Sequence, residues 1–320
     1  MLLAALTLLA QAQVSTISPH GVVLAPDPAV PYLATALHHP TVDWDPTRSR
    51  HMMAFATDQP GHANCPDGVT GLGLATSPGG HHWTVGPQAL ALPDPTSTDP
   101  GACRITEPAL LFDAATDSLH VWFVAEGPGN VVSGIGHLEL QLDAAGDPVW
   151  PPLYSGLVLP GTYREPSVIR VQSRYVMAFA SYPNIQVATG PTPTGLTMDG
   201  SALDVDDYTV TWMEDEFWRG SMACRATGSF PLEIFAAGFD QTTGEWAIGK
   251  AVASPSNLTN WTLATAPLVG PHSGAEEEGF DFVLRGAADY VVYAGHAGQI
   301  EAGSFQITAA AGDPASKTCP

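Results

Sequence analysis

A unit of two short strands recurs along the chain, and this repeat constrains the fold more than any other feature of the sequence. Each copy begins with a polar residue and a Pro or small residue, continues into an apolar strand and a turn, and ends in a second apolar strand. The copies read HPTVDWDPTRSRHMMAFAT, EPALLFDAATDSLHVWFVAE, EPSVIRVQSRYVMAFAS, RGSMACRATGSFPLEIFAAG and EGFDFVLRGAADYVVYAG. They start at His39, Glu107, Glu165, Arg219 and Glu278. A repeat of this kind indicates units that bury their apolar faces against one another.

The repeat is long enough for four strands in each copy. GLGLATSPGGHHWT in the first copy and IGKAVASPSNLTNWT in the fourth share an Ala-x-Ser-Pro turn followed by Trp-Thr, which predicts a third and a fourth strand. Turn residues are frequent, with 29 Pro and 32 Gly, and long helical periodicity is absent. We therefore predict an all-β fold, a five-bladed β-propeller of four-stranded antiparallel blades. A long β-sandwich is the alternative, since it too has short strands and many turns.

The first residues predict export. MLLAALTLLAQAQVS contains an apolar run that ends in Ala10-Gln11-Ala12, a small-x-small pattern typical of signal-peptidase sites. The run is too short for a membrane span, and a buried first strand is the alternative. We divide the chain into a signal peptide (1–12), an N-terminal segment that could close the propeller (13–34), the propeller (35–312) and a C-terminal tail (313–320). We expect a secreted or periplasmic protein.

The four cysteines predict disulfides, because none of them lie at CxxC spacing and an exported chain favours oxidation. Cys65 and Cys103 both lie in loop-like segments and are the favoured pair. Cys224 with Cys319 would then tie the tail to the body, although the sequence leaves the connectivity open. The formal charge of −21 excludes nucleic acid and anionic membranes as partners.

The residues that begin the copies form the candidate site. The first strand of each propeller blade lines a central funnel, so equivalent residues of different blades should face one mouth. Two carboxylates on either side of a glycosidic bond can act as acid and as base or nucleophile. The alternative is that each carboxylate followed by Pro is an ordinary turn.

Two of these starts resemble a known group of enzymes. EPALLFD, and REPSVI after Tyr163, resemble the Asp-Pro-x-apolar blade starts of the five-bladed glycoside hydrolases of families 43, 32 and 68. Arg164-Glu165-Pro166 resembles the Arg-Asp-Pro element of families 32 and 68, and Gly270-Pro271-His272-Ser273 resembles a Gly-Pro-Gly-His stretch of family 43. The resemblance implies a glycosidase with an acidic base or nucleophile in the first blade and further acidic residues in the second to fourth blades.

The chain departs from that pattern in two copies. His39 stands where the resemblance expects a first-blade acid, so Asp43 and Asp45, on the same strand face by alternation, are substitutes. Arg219 replaces the carboxylate of the fourth copy, just after Glu216. The candidate catalytic residues are Glu165, Glu278, Glu107, Glu216 and Asp43. The candidate substrate-binding residues are His39, Trp44, Tyr163, Arg164, Trp218 and Arg219.

Several expectations about geometry follow. Glu107, Glu165 and Glu278 should converge on one funnel, with Asp43 farther from it than His39. Arg164 should alternate to the other strand face, which leaves Arg219 as the charge partner of Glu165. The aromatic residues Trp44, Tyr163, Phe217 and Trp218 should flank the site and suit the apolar faces of sugar rings, with core packing as the alternative.

We expect a monomer that binds carbohydrate, requires no cofactor and has no catalytic metal. A structural cation such as calcium is allowed, with His272 and His296 near the axis. A non-catalytic propeller that binds carbohydrate or a surface partner is the second hypothesis, favoured by His39. A sialidase, using Arg164, Arg219 and Arg285 for a sugar carboxylate, is the third. The Ser-x-Asp-x-Gly-x-Thr-Trp boxes of sialidases are absent from the sequence.

Overall fold

The structure is a computed structural model, and it describes residues 18–33, 35–208, 216–225, 232–240, 245–272, 280–284, 289–296, 299–306 and 315–319. In these ranges the chain is built from β-strands, with three short 3-10 turns at Pro31–Leu33, Pro128–Asn130 and Val205–Asp207. The prediction of an all-β protein is confirmed. Across the same ranges, no helix has the length and apolar character needed to cross a membrane.

The strands follow the repeat copy by copy. Strand β1 spans Ser18–Leu24. The first copy forms β2 (Leu37–Asp45), β3 (Arg50–Gln59), β4 (Val69–Ser77) and β5 (Thr84–Val85). The second forms β6 (Arg104–Asp113), β7 (Ser118–Gly127), β8 (Val131–Gln141) and β9 (Leu153–Pro160). The third forms β10 (Arg164–Val171), β11 (Arg174–Ser181), β12 (Asn184–Gly190) and β13 (Thr197–Leu203).

The remaining strands belong to the last two copies and the tail. The fourth copy forms β14 (Glu216–Arg225), β15 (Leu232–Asp240), β16 (Glu245–Ser254), β17 (Asn257–Leu263) and β18 (Val269–His272). The fifth forms β19 (Phe280–Leu284), β20 (Asp289–His296) and β21 (Gln299–Gln306). The tail forms β22 (Ala315–Ser316) and β23 (Thr318–Cys319).

Consecutive strands of a copy pair antiparallel, as in the run β10-β11-β12-β13. The fifth copy borrows its fourth strand from the N-terminal segment, in the order β19-β20-β21-β1. The sheets of the first two copies are joined by one parallel pair, between Thr70 and Arg104. Four-stranded antiparallel sheets are therefore present as predicted.

The core lies between the sheets of neighbouring copies. One cluster joins the first and second copies through residues such as Met52, Leu72 and Leu110, and another joins the third and fourth copies through Ile169 and Ile234. Strand β7 is buried along its whole length. This burial on both faces explains why the second strand of each copy is apolar almost throughout.

A Phe packs over a Gly at the same place in two copies. Phe55 covers Gly73, and Phe123 covers Gly136. A Cβ added at Gly73 would lie 2.3 Å from the Phe55 ring, and one at Gly136 would lie 2.7 Å from Phe123. The third strands of these copies therefore need glycine for a close approach to the ring rather than for backbone freedom.

The first strands of the copies contact one another in succession: β2 with β6, β6 with β10, β10 with β14, β14 with β19, and β19 with β2. The tail lies among them, because β22 pairs with β14 and β23 pairs with β10. Between these two strands, the buried Lys317 donates from Nζ to Thr41 Oγ1 at 3.1 Å and to the Leu110 carbonyl at 3.3 Å. The tail is thus an integral part of the strand packing.

The favoured disulfide is confirmed, because Cys65 and Cys103 are bonded to each other. The bond joins the loop before β4 to the loop before β6, so it links the first two copies. Cys224 is also disulfide-bonded. The side chain of Cys319, its expected partner, lies outside the described residues, although Cys319 is placed in β23.

Candidate active site

The first three copies begin with the same unusual backbone conformation. His39, Glu107 and Glu165 have φ values of 49°, 50° and 52°. Each precedes a Pro, which has no N–H for the strand ladder, and the pairing register slips at each of these positions. Positive φ at a residue other than Gly costs about 1–3 kcal/mol, and such strain concentrates at functional sites. The same strained bulge therefore occurs three times, once per copy.

The three bulges bring their side chains together in an inner cluster of His39, Glu107 and Glu165. The His39 Nε2 atom lies 3.4 Å from Glu165 Oε1. The backbone N–H of Glu165 donates to Glu107 Oε2 at 2.7 Å. All three residues are buried, with 8%, 5% and 2% of their surface exposed. The cluster therefore places two carboxylates and an imidazole in contact.

Arg164 neutralises one side of this cluster. Its guanidinium donates to Glu107 Oε1 at 2.7 Å and to Glu126 Oε1 at 3.0 Å. Burial alone would lower the pKa of Arg164, but the charges of the two carboxylates and their hydrogen bonds raise it above its usual value. Arg104 lies 3.5 Å from the other oxygen of Glu126. Glu107 and Glu126 are thus held as paired carboxylates.

The prediction that Arg164 lies on the strand face opposite Glu165 assumes regular alternation along β10. Alternation of side chains requires regular extended backbone, and the left-handed φ of Glu165 breaks it. The register slip between Arg164 and Ser167 marks the same break. As a result, Arg164 contacts Glu107 of the preceding copy while the neighbouring Glu165 faces His39.

His39 is connected to the protein surface through two further residues. Its Nδ1 lies 2.5 Å from Nδ1 of His38, and His38 Nε2 lies 3.0 Å from Asp58 Oδ1. Burial raises the pKa of Asp58, but the hydrogen bond with His38, together with the Thr70 hydroxyl and the charge of Arg104, holds it below its usual range. The Thr70 hydroxyl adds a hydrogen bond to the same oxygen. Side-chain exposure rises from 10% at His38 to 42% at Asp58.

Asp43 and Asp45 do not reach the inner cluster. Asp43 follows His39 by four residues, about 13 Å along an extended strand. Its Oδ2 accepts the N–H of Phe112 at 2.8 Å, which links β2 to β6. Asp45 forms a buried ion pair with Arg48. Alternation puts Asp43 and Asp45 on one strand face, but the left-handed φ of His39 and the register slip between His38 and Thr41 interrupt it, so Asp43 has a different neighbourhood from His39.

The aromatic candidates separate into exposed and packed residues. Trp44 is 39% exposed and packs edge-on against His51 at the far end of β2 from His39. Tyr163 packs against Phe179, with ring centres 4.9 Å apart. Phe217 is fully buried. Core packing, the alternative reading, therefore applies to Tyr163 and Phe217, and Trp44 lies away from the cluster.

Other candidates cannot be placed. The backbone of Glu216, Trp218 and Arg219 lies in β14, but their side chains lie outside the described part of the structure. Glu278 also lies outside the described residues, as do the side chains of His272 and His296. The convergence of Glu278 with the inner cluster and the pairing of Arg219 with Glu165 remain predictions.

The inner cluster meets the distance condition for a shared cation, since one ligand atom from each residue lies within 4.8 Å of the others. Both oxygens of Glu107, however, already accept hydrogen bonds, one from the Arg164 guanidinium and one from the Glu165 N–H. A guanidinium at 2.7 Å also repels a second cation. Protein donors thus engage both oxygens of Glu107, and we assign no metal to the cluster.

Sequence reasoning missed His38, Asp58 and Glu126. A signal for two of them exists, because Asp58 and Glu126 both lie three residues after the repeated Phe, at Phe55 and Phe123. Aligning the copies to the ends of their second strands would have identified this second row of carboxylates.

The comparisons with known proteins identify the fold. No family model matches the chain, and no curated protein matches it. A protein described with the GH130 family of mannoside phosphorylases, which contains glycoside hydrolases that target β-1,2 mannosidic linkages in Candida mannan, superimposes with a TM-score of 0.69 at 14% identity. That match covers 95% of this chain and 97% of the other.

Two further solved structures agree. The β-1,2-mannobiose phosphorylase from Listeria innocua, in complex with β-1,2-mannobiose, has a TM-score of 0.65 at 12% identity, over 91% of this chain and 97% of that chain. A glycosyl hydrolase from Bacteroides ovatus has a TM-score of 0.64 at 12% identity, over 95% and 97%. At these identities the likeness shows the fold alone. The chain has the fold of a group of carbohydrate-active enzymes, and membership of families 43, 32 or 68 is not confirmed.

Proposed function

We propose that this chain is an exported glycoside hydrolase that acts as a monomer on a poly- or oligosaccharide. We propose further that its sheets close into a five-bladed β-propeller. The succession of contacts among the first strands, from β2 through β19 and back to β2, supports closure. The signal-like N-terminal sequence and the Cys65–Cys103 disulfide support export.

The observation that carries the proposal is the inner cluster. Three copies of the repeat each hold a strained residue that brings a polar side chain into one buried cluster. Strain retained at equivalent positions is a mark of function. Glycoside hydrolysis requires two carboxyl groups in different environments, so that one acts as the acid and the other as the base or nucleophile.

The residues take different roles in this proposal. Glu165 is the working carboxylate, because its side chain contacts His39 while its backbone, not its side chain, engages Glu107. Both carboxylate oxygens of Glu107 accept hydrogen bonds from the protein, so Glu107 positions Glu165 through its backbone N–H and balances the charge of Arg164. Glu278 or Glu216 supplies the second carboxylate. Arg219 and Trp218 contribute to substrate binding.

The test is a screen of the purified chain for release of reducing ends. Poly- and oligosaccharides, including β-1,2-linked mannosides as suggested by the solved structures of similar fold, are incubated with and without inorganic phosphate. We expect hydrolysis of at least one glycan without phosphate. Release that requires phosphate would make the chain a phosphorylase. Binding without release of any product would overturn the enzymatic proposal.

A non-catalytic carbohydrate-binding propeller is the second candidate, and one observation favours it. His39 replaces the acid of the first copy, and the hydrogen bonds of Glu107 are satisfied within the protein. The sialidase alternative loses support, because Arg164 is engaged by Glu107 and Glu126 and a free arginine cluster would need its guanidinium.

A further inference from the structure

The inner cluster continues into a row of four ionisable side chains, the last of which is exposed to solvent. In order, they are Glu165, His39, His38 and Asp58, joined by contacts of 3.4, 2.5 and 3.0 Å. The two imidazoles are buried, Glu165 is the most buried member, and Asp58 is the most exposed. This row of side chains therefore connects the proposed working carboxylate to bulk water.

A proton relay along these side chains needs one hydrogen bond at each contact. Three such hydrogen bonds need three protons, because each joins two atoms that both carry lone pairs. Two neutral imidazoles supply two protons. When His38 donates from Nε2 to Asp58, its Nδ1 accepts from His39 Nδ1, and His39 Nε2 then presents a lone pair to Glu165. The third proton lies in that last contact, on Glu165 or on His39.

A second arrangement with the same three protons is reached when each proton moves across its contact to the next side chain of the row. The Glu165 proton moves to His39 Nε2, the His39 Nδ1 proton moves to His38 Nδ1, and the His38 Nε2 proton moves to Asp58. Glu165 is then ionised and Asp58 is protonated. No proton is gained or lost, both imidazoles remain neutral, and every contact still has one proton.

We propose that Asp58, His38 and His39 form a proton relay that restores the protonation state of Glu165 from solvent. Asp58 exchanges protons with water, the two histidines carry them inward or outward, and Glu165 uses them at the substrate. His38 and Asp58 are positioning and relay residues, since they act through His39. The relay rests on the proposed role of Glu165.

Charged groups around the relay favour a proton at its inner end. Arg104 lies near Asp58 and lowers its pKa, as does the Thr70 hydroxyl that the Arg104 Nε atom contacts at 3.1 Å. The charged groups that face the relay from neighbouring strands in the described structure are Arg104 and Glu107 on β6, Glu126 on β7 and Arg164 on β10. Three ion pairs join these groups, and their two positive and two negative charges balance one another.

The first test is independent of turnover. Nuclear magnetic resonance of the chain labelled with 15N-histidine, assigned with His38→Gln and His39→Gln, reports the tautomer of each imidazole. We expect both Glu165→Gln and Asp58→Asn to change the 15N shifts of both rings, because the tautomer of one ring sets that of the other. Asp67→Asn, at an exposed carboxylate in the loop before β4, is the matched control and should change neither. Ring shifts that stay unchanged in both relay variants would overturn the relay.

The second test uses whichever glycan the wild-type chain cleaves. Asp58→Asn should lower kcat and displace its pH profile with little change in KM, and Asp58→Glu should restore it. A purely structural role for Asp58 predicts loss of stability with an unchanged pH profile, which would contradict the relay. If no glycan is cleaved, the magnetic resonance result still decides the relay, so the two proposals can fail separately.

Discussion

Replacing Arg164 with Met isolates the contribution of the ion pairs beside the inner cluster. Arg164 is shared by Glu107 and Glu126, which are 5% and 1% exposed. Met keeps most of the aliphatic packing and removes the charge. Breaking a buried ion pair by removing one partner costs about 3–5 kcal/mol. Arg104 stays beside Glu126 and the Arg164 side chain is 29% exposed, so we expect a smaller loss of about 2–3 kcal/mol.

The assay is urea unfolding at pH 7, followed by tryptophan fluorescence, with the midpoint shift read at constant slope. Arg174→Met is the matched control, because the Arg174 guanidinium donates to the carbonyl of Pro255, and it should cost about 1 kcal/mol. A double-mutant cycle with Glu126→Gln should show coupling. A loss for Arg164→Met no larger than that for the control would refute the electrostatic account of the cluster.

Three further predictions concern the rest of the fold. Burial lowers the pKa of His137, to about 3, and that of His120, so the unfolded chain binds protons that the folded chain does not. Stability should therefore be full above about pH 6.5 and fall between pH 6.5 and 4, by about 1.4 kcal/mol per pH unit from His137 and further from His120; urea midpoints independent of pH would contradict this. Lys317→Met should lower the free energy of unfolding by about 1–3 kcal/mol, because two buried acceptors lose a charged donor, and an unchanged thermal midpoint would contradict this. Asp43→Ala should cost about 1–3 kcal/mol by leaving the Phe112 N–H unpaired while activity per folded molecule is kept. Loss of activity in Asp43→Ala at unchanged stability would return Asp43 to the catalytic residues.

The strands could be predicted because each copy repeats the same physical pattern. A polar start, an apolar strand, a turn and a second apolar strand can bury their faces only against neighbouring copies, and the cores lie there. The Cys65–Cys103 pair was also predictable, since both cysteines lie in loops of adjacent copies. For β1, the sequence suggested only that residues 13–34 could close the propeller, because a short N-terminal strand carries no signal for the strand with which it pairs.

The site was less predictable because its geometry depends on departures from regular structure. Alternation along β10 cannot anticipate the left-handed φ of Glu165 or the contact of Arg164 with Glu107 of the preceding copy. The His38–Asp58 contact joins neighbouring strands across a register slip, which sequence spacing does not reveal. The role of Lys317 depends on a tail too short to show periodicity.

The central claim is that Glu165 is the working carboxylate of a glycoside hydrolase. The most direct measurement is the initial rate of Glu165→Gln on a glycan that the wild-type chain cleaves, beside Glu139→Gln, whose partly exposed carboxylate accepts a hydrogen bond from Gln141. Gln keeps the shape of the side chain and the backbone N–H to Glu107, so folding should be retained. We predict that Glu165→Gln lowers kcat by about 10²–10⁴-fold and that Glu139→Gln leaves it unchanged. Equal rates for Glu165→Gln and wild type would contradict the claim.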